Sequence, residues 1–388
     1  MLATGFSMLP IAVDDAKIDL KPTFEYRSRY EQRIDRDFNS ASSDNRFDWF
    51  NRFRPGVKLT YGKRWSAELQ YQYSHDLAWT RESNFSKENS DASLAYLKYS
   101  ADDWSFTAGR QRISIGSGRL IGVSDWGNAP RSVDGARLQA GRWDVFAFEP
   151  SVALTAPINT VYLGAAYSSK FGTTLLVEKT DDTSKGETAI TTLNHLWNGR
   201  IYNFNFEAEA AVQTGRKEGR DVEAWALHFK ASQPLSKTTS AYLEYNSASG
   251  GGSSEKTRTF DQLNASNHSK YGTMDVLGWR NMNEYVLGID VKPDSRFTWS
   301  ASWRFMTLRD AGDSWYGDNG SAILSDPTGN SGNEIGHELD IEGSWKLNSR
   351  SSIGAGLGIF MPGSFVRNVK GGHANRQTWA FVQYSFKF

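Results

Sequence analysis

Read two residues at a time, the chain breaks into segments in which apolar and polar side chains take turns. Ile18, Leu20, Phe24, Tyr26 and Tyr30 alternate with Asp19, Lys21, Glu25, Arg27, Arg29, Glu31 and Arg33. Phe47, Trp49, Phe53, Val57, Leu59 and Tyr61 alternate with Asp48, Arg52, Arg54, Lys58 and Thr60, and the same rhythm runs from Trp65 to Tyr73, Phe297 to Phe305 and Leu339 to Trp345. A period of two puts each set on its own face of a β-strand. The pattern predicts strands at 17–33, 46–61, 64–79, 91–100, 103–110, 132–140, 142–149, 159–167, 172–179, 186–196, 201–213, 221–232, 237–247, 282–292, 295–308, 335–347, 350–360 and 376–388. The apolar faces carry Tyr, Trp and Phe at their ends, as interfacial girdles do.

Connection lengths separate a sandwich from a barrel. Tight turns at Gly62-Lys63, Ala101-Asp102, Gly141, Gln233 to Leu235, Pro293-Asp294 and Asn348-Ser349 alternate with long links at 34–45, 80–90, 111–131, 248–281, 309–334 and 361–375. Strict alternation of short and long predicts periplasmic turns on one rim and extracellular loops on the other. The fold class is therefore all-β: a transmembrane antiparallel barrel of about 18 strands. The Gly/Ser run 249–254 falls where a loop is due and is read as part of one, although its composition also suits a linker.

The last strand ends Val382, Tyr384, Phe386 and Phe388 against Gln383, Ser385 and Lys387. A barrel strand with a C-terminal Phe resembles bacterial outer-membrane β-barrels, whose assembly machinery reads that end. The resemblance implies an outer-membrane location in a Gram-negative bacterium, lipid around the barrel, and the assembly machinery as a partner through Phe388. No run reaches the ~18 apolar residues of a membrane-spanning helix, so only strands are available to cross a bilayer. Lys+Arg 44 against Asp+Glu 44 gives no net charge, which argues against a nucleic-acid partner. The absence of Cys suits an exported chain that folds without disulfides. Residues 1–16 read as a signal-peptide remnant without its basic n-region, or as an ordered N-terminal segment, and 17–388 as one barrel.

A family likeness enters after the fifth strand. Gly109-Arg110-Gln111-Arg112, Arg119-Leu120-Ile121-Gly122, Asp125-Trp126, Asn128 and the run Arg131 to Leu138, including Asp134 and Arg137, are similar to the signature segment of the alginate-export outer-membrane family. His337-Glu338-Leu339-Asp340 and Phe360 to Phe365, with Tyr26 to Glu31 and Arg52 to Gly56, carry the resemblance along almost the whole chain. It implies an 18-stranded barrel whose best-known relatives pass a polyuronate through an arginine-lined lumen.

The residues themselves make that expectation chemically sensible. Arg is a permanently charged fork suited to carboxylates, and conduction needs many weak, exchangeable contacts. Alternation places Arg27, Arg29, Arg33, Arg52, Arg54, Lys58, Arg137 and Arg304 toward the lumen, while Arg110, Arg112, Arg119 and Arg131 belong to the neighbouring loop segment. The opposing reading pairs these arginines with Glu25, Glu31, Asp48, Glu68, Glu338, Asp340 and Glu342 as a rigid wall network. The link 111–131 is long enough to fold inward as a constriction holding Asp125, Trp126, Asn128 and Asp134. Trp126 is then a stacking platform for a sugar ring, or the loop is a lid held by Arg–Asp pairs.

The expected function is a passive channel guiding an acidic polysaccharide or oligosaccharide, possible relatives in purpose being a general porin for small anions or sugars. A periplasmic secretion partner is compatible with export. From other classes come a surface adhesin and a barrel enzyme. No G-x-S-x-G or H-E-x-x-H occurs, the six His lack ligand spacing, and His337 near Asp340 is the one acid–base pair to weigh. No cofactor or metal is expected; Asp310, Asp313, Asp318, Asn319 and Asp326 depart from the EF-hand spacing. Gly354, Gly356 and Gly358 share one strand face, leaving lumen space or room for a loop to pack.

Overall fold

The computed structural model describes residues 17–39, 44–80, 83–151, 159–268 and 270–388, so the apolar segment 1–13 lies outside the described residues. An antiparallel meander begins with β1 (Ile18–Ile34), β2 (Arg46–Tyr61), β3 (Trp65–Thr80), β4 (Asn84–Ser100), β5 (Trp104–Gln111) and β6 (Ser132–Ala140). It continues with β7 (Trp143–Ser151), β8 (Thr160–Ser169), β9 (Gly172–Thr183), β10 (Gly186–Ile201), β11 (Phe204–Lys217), β12 (Arg220–Pro234) and β13 (Thr239–Ala248). A long loop carrying the short β14 (Lys256–Thr257) leads to β15 (Met282–Val291) and β16 (Phe297–Leu308). The next loop holds a small hairpin, β17 (Trp315–Tyr316) and β18 (Ala322–Leu324). The chain ends with β19 (Glu334–Lys346), β20 (Ser351–Pro362), α1 (Ser364–Val369) and β21 (Gln377–Lys387).

β21 pairs antiparallel with β1 from Glu25↔Lys387 to Ile34↔Thr378, closing eighteen long strands into a ring. Closure pairs every edge, which is the condition for strands to cross lipid. Burial is inverted relative to a water-soluble domain: Leu69, Leu163, Leu243, Leu287 and Ile341 are exposed on the outside, while Arg29, Arg54, Glu284 and Glu338 are buried inside. Trp65, Tyr99 and Trp104 meet in series near the short-turn rim, edge-on and then tilted, with ring centroids 4.8 and 5.3 Å apart, and Trp143 meets Tyr167 at 4.9 Å. These are the girdle residues that the strand ends announced.

Connections on the loop rim depart from strict alternation. The expected long link at 80–90 is mostly strand, because β3 and β4 pair up to Trp79↔Asn84, with His75 opposite Glu88 and Asp76 opposite Lys87. Cross-strand polar pairs hold these two strands together beyond the apolar belt, where hydrophobic alternation no longer marks them. β9–β10 and β11–β12 are likewise joined by two-residue turns on the same rim. The links 35–45 and 363–376 stay long as expected, and the three longest loops, 112–131, 249–281 and 309–333, fold inward. They fill the lumen with Ile113, Ile121, Phe260, Met274, Trp279 and Trp315, so the apolar core lies inside the ring and not between layers. A Cβ on Gly358 would come within 2.4 Å of Met274 Cγ, so that glycine lets loop 249–281 lie against the wall.

Candidate constriction site

The site starts from the register of β1 and β2. Arg27 lies opposite Arg52, and Glu25 opposite Arg54, so these residues share the inner face with Arg29 one step along. Like charges at this spacing repel, and a counter-structure is needed to hold them. Loop 112–131 provides it with backbone carbonyls. Arg27 donates through Nη1 to Asp125 O at 2.8 Å and through Nη2 to Trp126 O and Gly127 O at 2.9 and 3.0 Å. Arg29 donates to Trp126 O at 2.8 Å, and Arg52 donates to Asp125 O and Gly127 O at 3.1 Å each. The Asp125 carboxylate bridges Arg52 and Arg54 at 3.2 and 3.0 Å. Burial pushes the Asp125 carboxyl up, but Arg52, Arg54, Arg112 and Arg27 outweigh it and hold it down at about 2.

The same loop is fastened at the opposite wall. Arg119 is buried, with Nη2 3.3 Å from Glu244 Oε1 and Nε 3.7 Å from Glu209, and its guanidinium lies over the Tyr271 ring at 5.2 Å. Glu209 belongs to β11 and Glu244 to β13, about half a ring away from β1 and β2. The loop is therefore a bar across the lumen, with arginine contacts at both ends. Asn128 secures the near end by donating to Asn51 O at 3.1 Å and Asp76 Oδ1 at 2.5 Å.

Trp126 sits on the bar, and its ring is already in contact with side chains of the wall and of loop 249–281. The His268 imidazole stacks on it at 3.9 Å and 8°, and the Arg29 guanidinium lies 3.6 Å from its centroid. Phe381 meets its edge at 5.0 Å. Side chains of the protein thus take up part of the indole, which also lines the inner cavity.

The other expected site residues fall in separate places. Arg112 donates to Ser93 Oγ at 3.0 Å beside the arginine group, and Arg131 donates to Ala265 O at 2.8 Å. Arg137 is paired with Asp144 at 2.5 Å, away from the bar. Arg304 lies buried between Glu284 at 2.8 Å and Asp340 at 3.1 Å. Arg110 and Asp134 pair with each other at 2.8 Å, and their register with the exposed Phe106 and Leu138 sets them on the outer face near the loop rim. His337 shares a face with the exposed Leu339 and stacks on Phe305 at 4.9 Å, opposite in strand parity to Asp340, so the two form no dyad. Asp313 accepts from Gly251 N and Thr259 Oγ1 of the neighbouring loop, and Asp326 from Thr328 and Ser331 within its own turn. Part of the expected wall pairing is seen: Glu25 pairs with Arg54, Glu31 with Arg29 and Asp340 with Arg304, while Asp48 pairs with Arg46.

Open space remains on both sides of the bar. An outer cavity of about 500 Å³ is lined by Arg33, Arg36, Arg46, Asp48, Asp275 and Asp318, and an inner one of about 710 Å³ by Trp126, Lys237, Lys292, Asp290, Glu342 and Phe381. A third, off-axis cavity of about 420 Å³ lies between the three inward loops and includes Arg131, Lys179, Asp261 and Arg280. Asp261, Lys179, Arg280 and His268 were missed in the sequence. They meet from separate strands and loops without periodicity, and only the length of 249–281 pointed to that loop at all.

The fold is matched by OpdQ of Pseudomonas aeruginosa with a TM-score of 0.65 at 11% identity, over 95% of this chain and 99% of that one. OpdK of the same organism gives 0.62 at 13% over 95% and 99%, and OccK2 (OpdF) gives 0.60 at 12% over 95% and 98%. No curated relative matches the sequence. The sequence model described as alginate export matches residues 19–380, nearly the full length. A closed ring with an apolar exterior, a charged interior crossed by a bar, and this match together make the chain a passive channel of the Gram-negative outer membrane that belongs to the alginate export family.

Proposed function

We propose that the channel passes an acidic saccharide, a uronate-bearing polysaccharide or oligosaccharide, along the arginine side of the lumen. The observation that carries this reading is Asp125, a carboxylate held by Arg52 and Arg54 and kept ionised by the surrounding guanidinium groups. A site that stabilises a carboxylate of its own chain offers the same field to a visiting one. A uronate moving past takes over guanidinium donors from Asp125 and from the loop carbonyls, then yields them again. Exchange between near-equivalent partners keeps each contact weak enough to leave, as conduction requires.

A second reading, uptake of small acidic sugars, is favoured by the bar itself. It divides the lumen into cavities of about 500 and 710 Å³, a scale suited to small ligands. The structural neighbour OccK2 was solved in complex with glucuronate, which supports an acidic sugar on this fold. Planar-bilayer reversal potentials in a salt gradient, with polyuronate or monomeric glucuronate added, separate the readings. Anion preference with block by polyuronate, both weakened in an Arg52→Gln/Arg54→Gln variant, is expected for the polymer path. Block by the monomer alone favours small-sugar uptake, and a cation-preferring or unselective pore refutes both.

A further inference from the structure

Charge is spread unevenly between the two rims. Along the sequence the eight short turns carry eight Lys and Arg against three Asp, whereas the nine connections of the loop rim carry 14 against 13. The excess gathers on one arc, formed by the adjacent strands β13, β15, β16, β19, β20 and β21. Lys237, Lys292, Arg296, Lys346, Arg350 and Lys387 lie in its turns or at its strand ends. Backbone hydrogen bonds set them side by side: Lys292 N donates to Thr238 O at 2.7 Å, Lys346 N to Arg296 O at 2.8 Å and Lys387 N to Arg350 O at 2.9 Å. All six are exposed, and among the described residues only Lys387 of the six is in a salt bridge, with Glu25 at 2.9 Å. Asp294, the one acid in these turns, accepts from the backbone N–H groups of Arg296 and Phe297 at 2.7 and 2.9 Å.

The arc faces the water of the mouth and not the lipid. Lys237 and Lys292 line the inner cavity, Lys346 lies opposite Ser352 of the same lining, and Lys387 lies opposite the inward Glu25. By contrast Arg64, on another turn, donates to the girdle residue Tyr99 at 3.2 Å. Deeper in, the cavity wall carries the acids Asp290 and Glu342 among hydroxyls such as Thr298, Ser300 and Ser344, so the six rim cations outnumber the acids that share their mouth. Crowded exposed cations repel one another and raise the local concentration of anions. Each contact to a carboxylate there is weak, worth a few-fold in affinity. A ligand with one carboxylate gains little from such a surface, whereas a chain with a carboxylate on every unit engages several cations at once and sums the contacts.

We infer that this basic arc is a docking surface for an anionic polysaccharide chain, which it collects at the turn-rim mouth before the chain meets the bar. The inference rests on the acidic-saccharide reading in its polymeric form and adds the side on which the chain is gathered.

Anisotropy of a fluorescein-labelled polyuronate oligomer, titrated with the full-length protein in zwitterionic detergent micelles, tests it. The label is expected to be displaced by unlabelled oligomer far better than by glucuronate or neutral dextran, and to be released at about 1 M salt, where the Debye length is about 3 Å. Lys292→Gln/Arg296→Gln/Lys346→Gln is expected to weaken binding about tenfold, from three exposed contacts of a few-fold each. Lys237→Gln/Arg350→Gln, on different turns, is expected to weaken it by a smaller factor and guards against a folding defect in the first variant. Arg64→Gln/Lys170→Gln, at turns outside the arc, is expected to bind like the parent. Affinity unchanged in both arc variants overturns the arc, and so does an equal loss in the Arg64/Lys170 variant, which would mark a general effect of charge. If the arc variants keep the oligomer but shed co-purified anionic phospholipid, the arc is a headgroup site and the inference falls. In all these cases an anion-selective reversal potential in the parent leaves the channel reading standing, whereas a cation-preferring parent sinks that reading itself.

Discussion

Asp125 shows how one residue reports the field of its neighbours. Four arginines outweigh the desolvation that raises its carboxyl, which sits at about 2, below the ordinary value of 3.8. A lowered value means that the clamp is complete above about pH 4 and fades as pH falls through about 2. Asp125→Asn removes that dependence and leaves Arg27 and Arg52 their bonds to loop carbonyls, and Arg54 its contacts with Glu25 and Gln72. Because the side chain is half exposed, the expected loss is discounted to about 1 kcal/mol of loop anchoring. The measurement is single-channel recording at neutral pH: more frequent excursions to a higher conductance are expected in the variant, and an unchanged trace would show that the carbonyl contacts suffice.

At the scale of a strand, the wall is stabilised by which face meets lipid. Leu287 is exposed and lies opposite Leu243 and Trp303 in the outer belt. Leu287→Arg is expected to cost about 2–4 kcal/mol if the residue sits near the bilayer midplane, read as a shifted denaturant midpoint for refolding into vesicles. A shift below the error of the titration would place this belt outside the membrane. These outer faces were legible beforehand because lipid imposes a period of two that survives in sequence. The Gly354, Gly356 and Gly358 face was legible for the same reason, and Met274 does pack on Gly358. The tops of β3 and β4 were not, since polar pairs such as Asp76 with Lys87 build strand outside the belt without an apolar signal. The site was partly legible: an inward loop at 111–131 and the arginines of β1 and β2 were expected, but their union was not. Backbone carbonyls accept those hydrogen bonds, and carbonyls leave no trace in side-chain identity.

For the whole molecule, the three inward loops set how much of the ring's interior stays open. Replacing 249–281 by a short turn removes Met274 from the wall, His268 from Trp126 and Tyr271 from Arg119. The expected outcome is a stable barrel with higher conductance and weaker discrimination between glucuronate and chloride, measured in planar bilayers. Equal conductance would mean that loops 112–131 and 309–333 alone limit flow. The bar formed by 112–131 has a mechanical side as well. It is pinned to β1 and β2 at one end and to β11 and β13 at the other, which makes it a strut across the diameter. A thin ring around water flattens readily under lateral pressure, and a strut resists that ovalisation. The twenty residues that obstruct the pore thus also keep it round, so a channel relieved of them would be wider, softer and noisier.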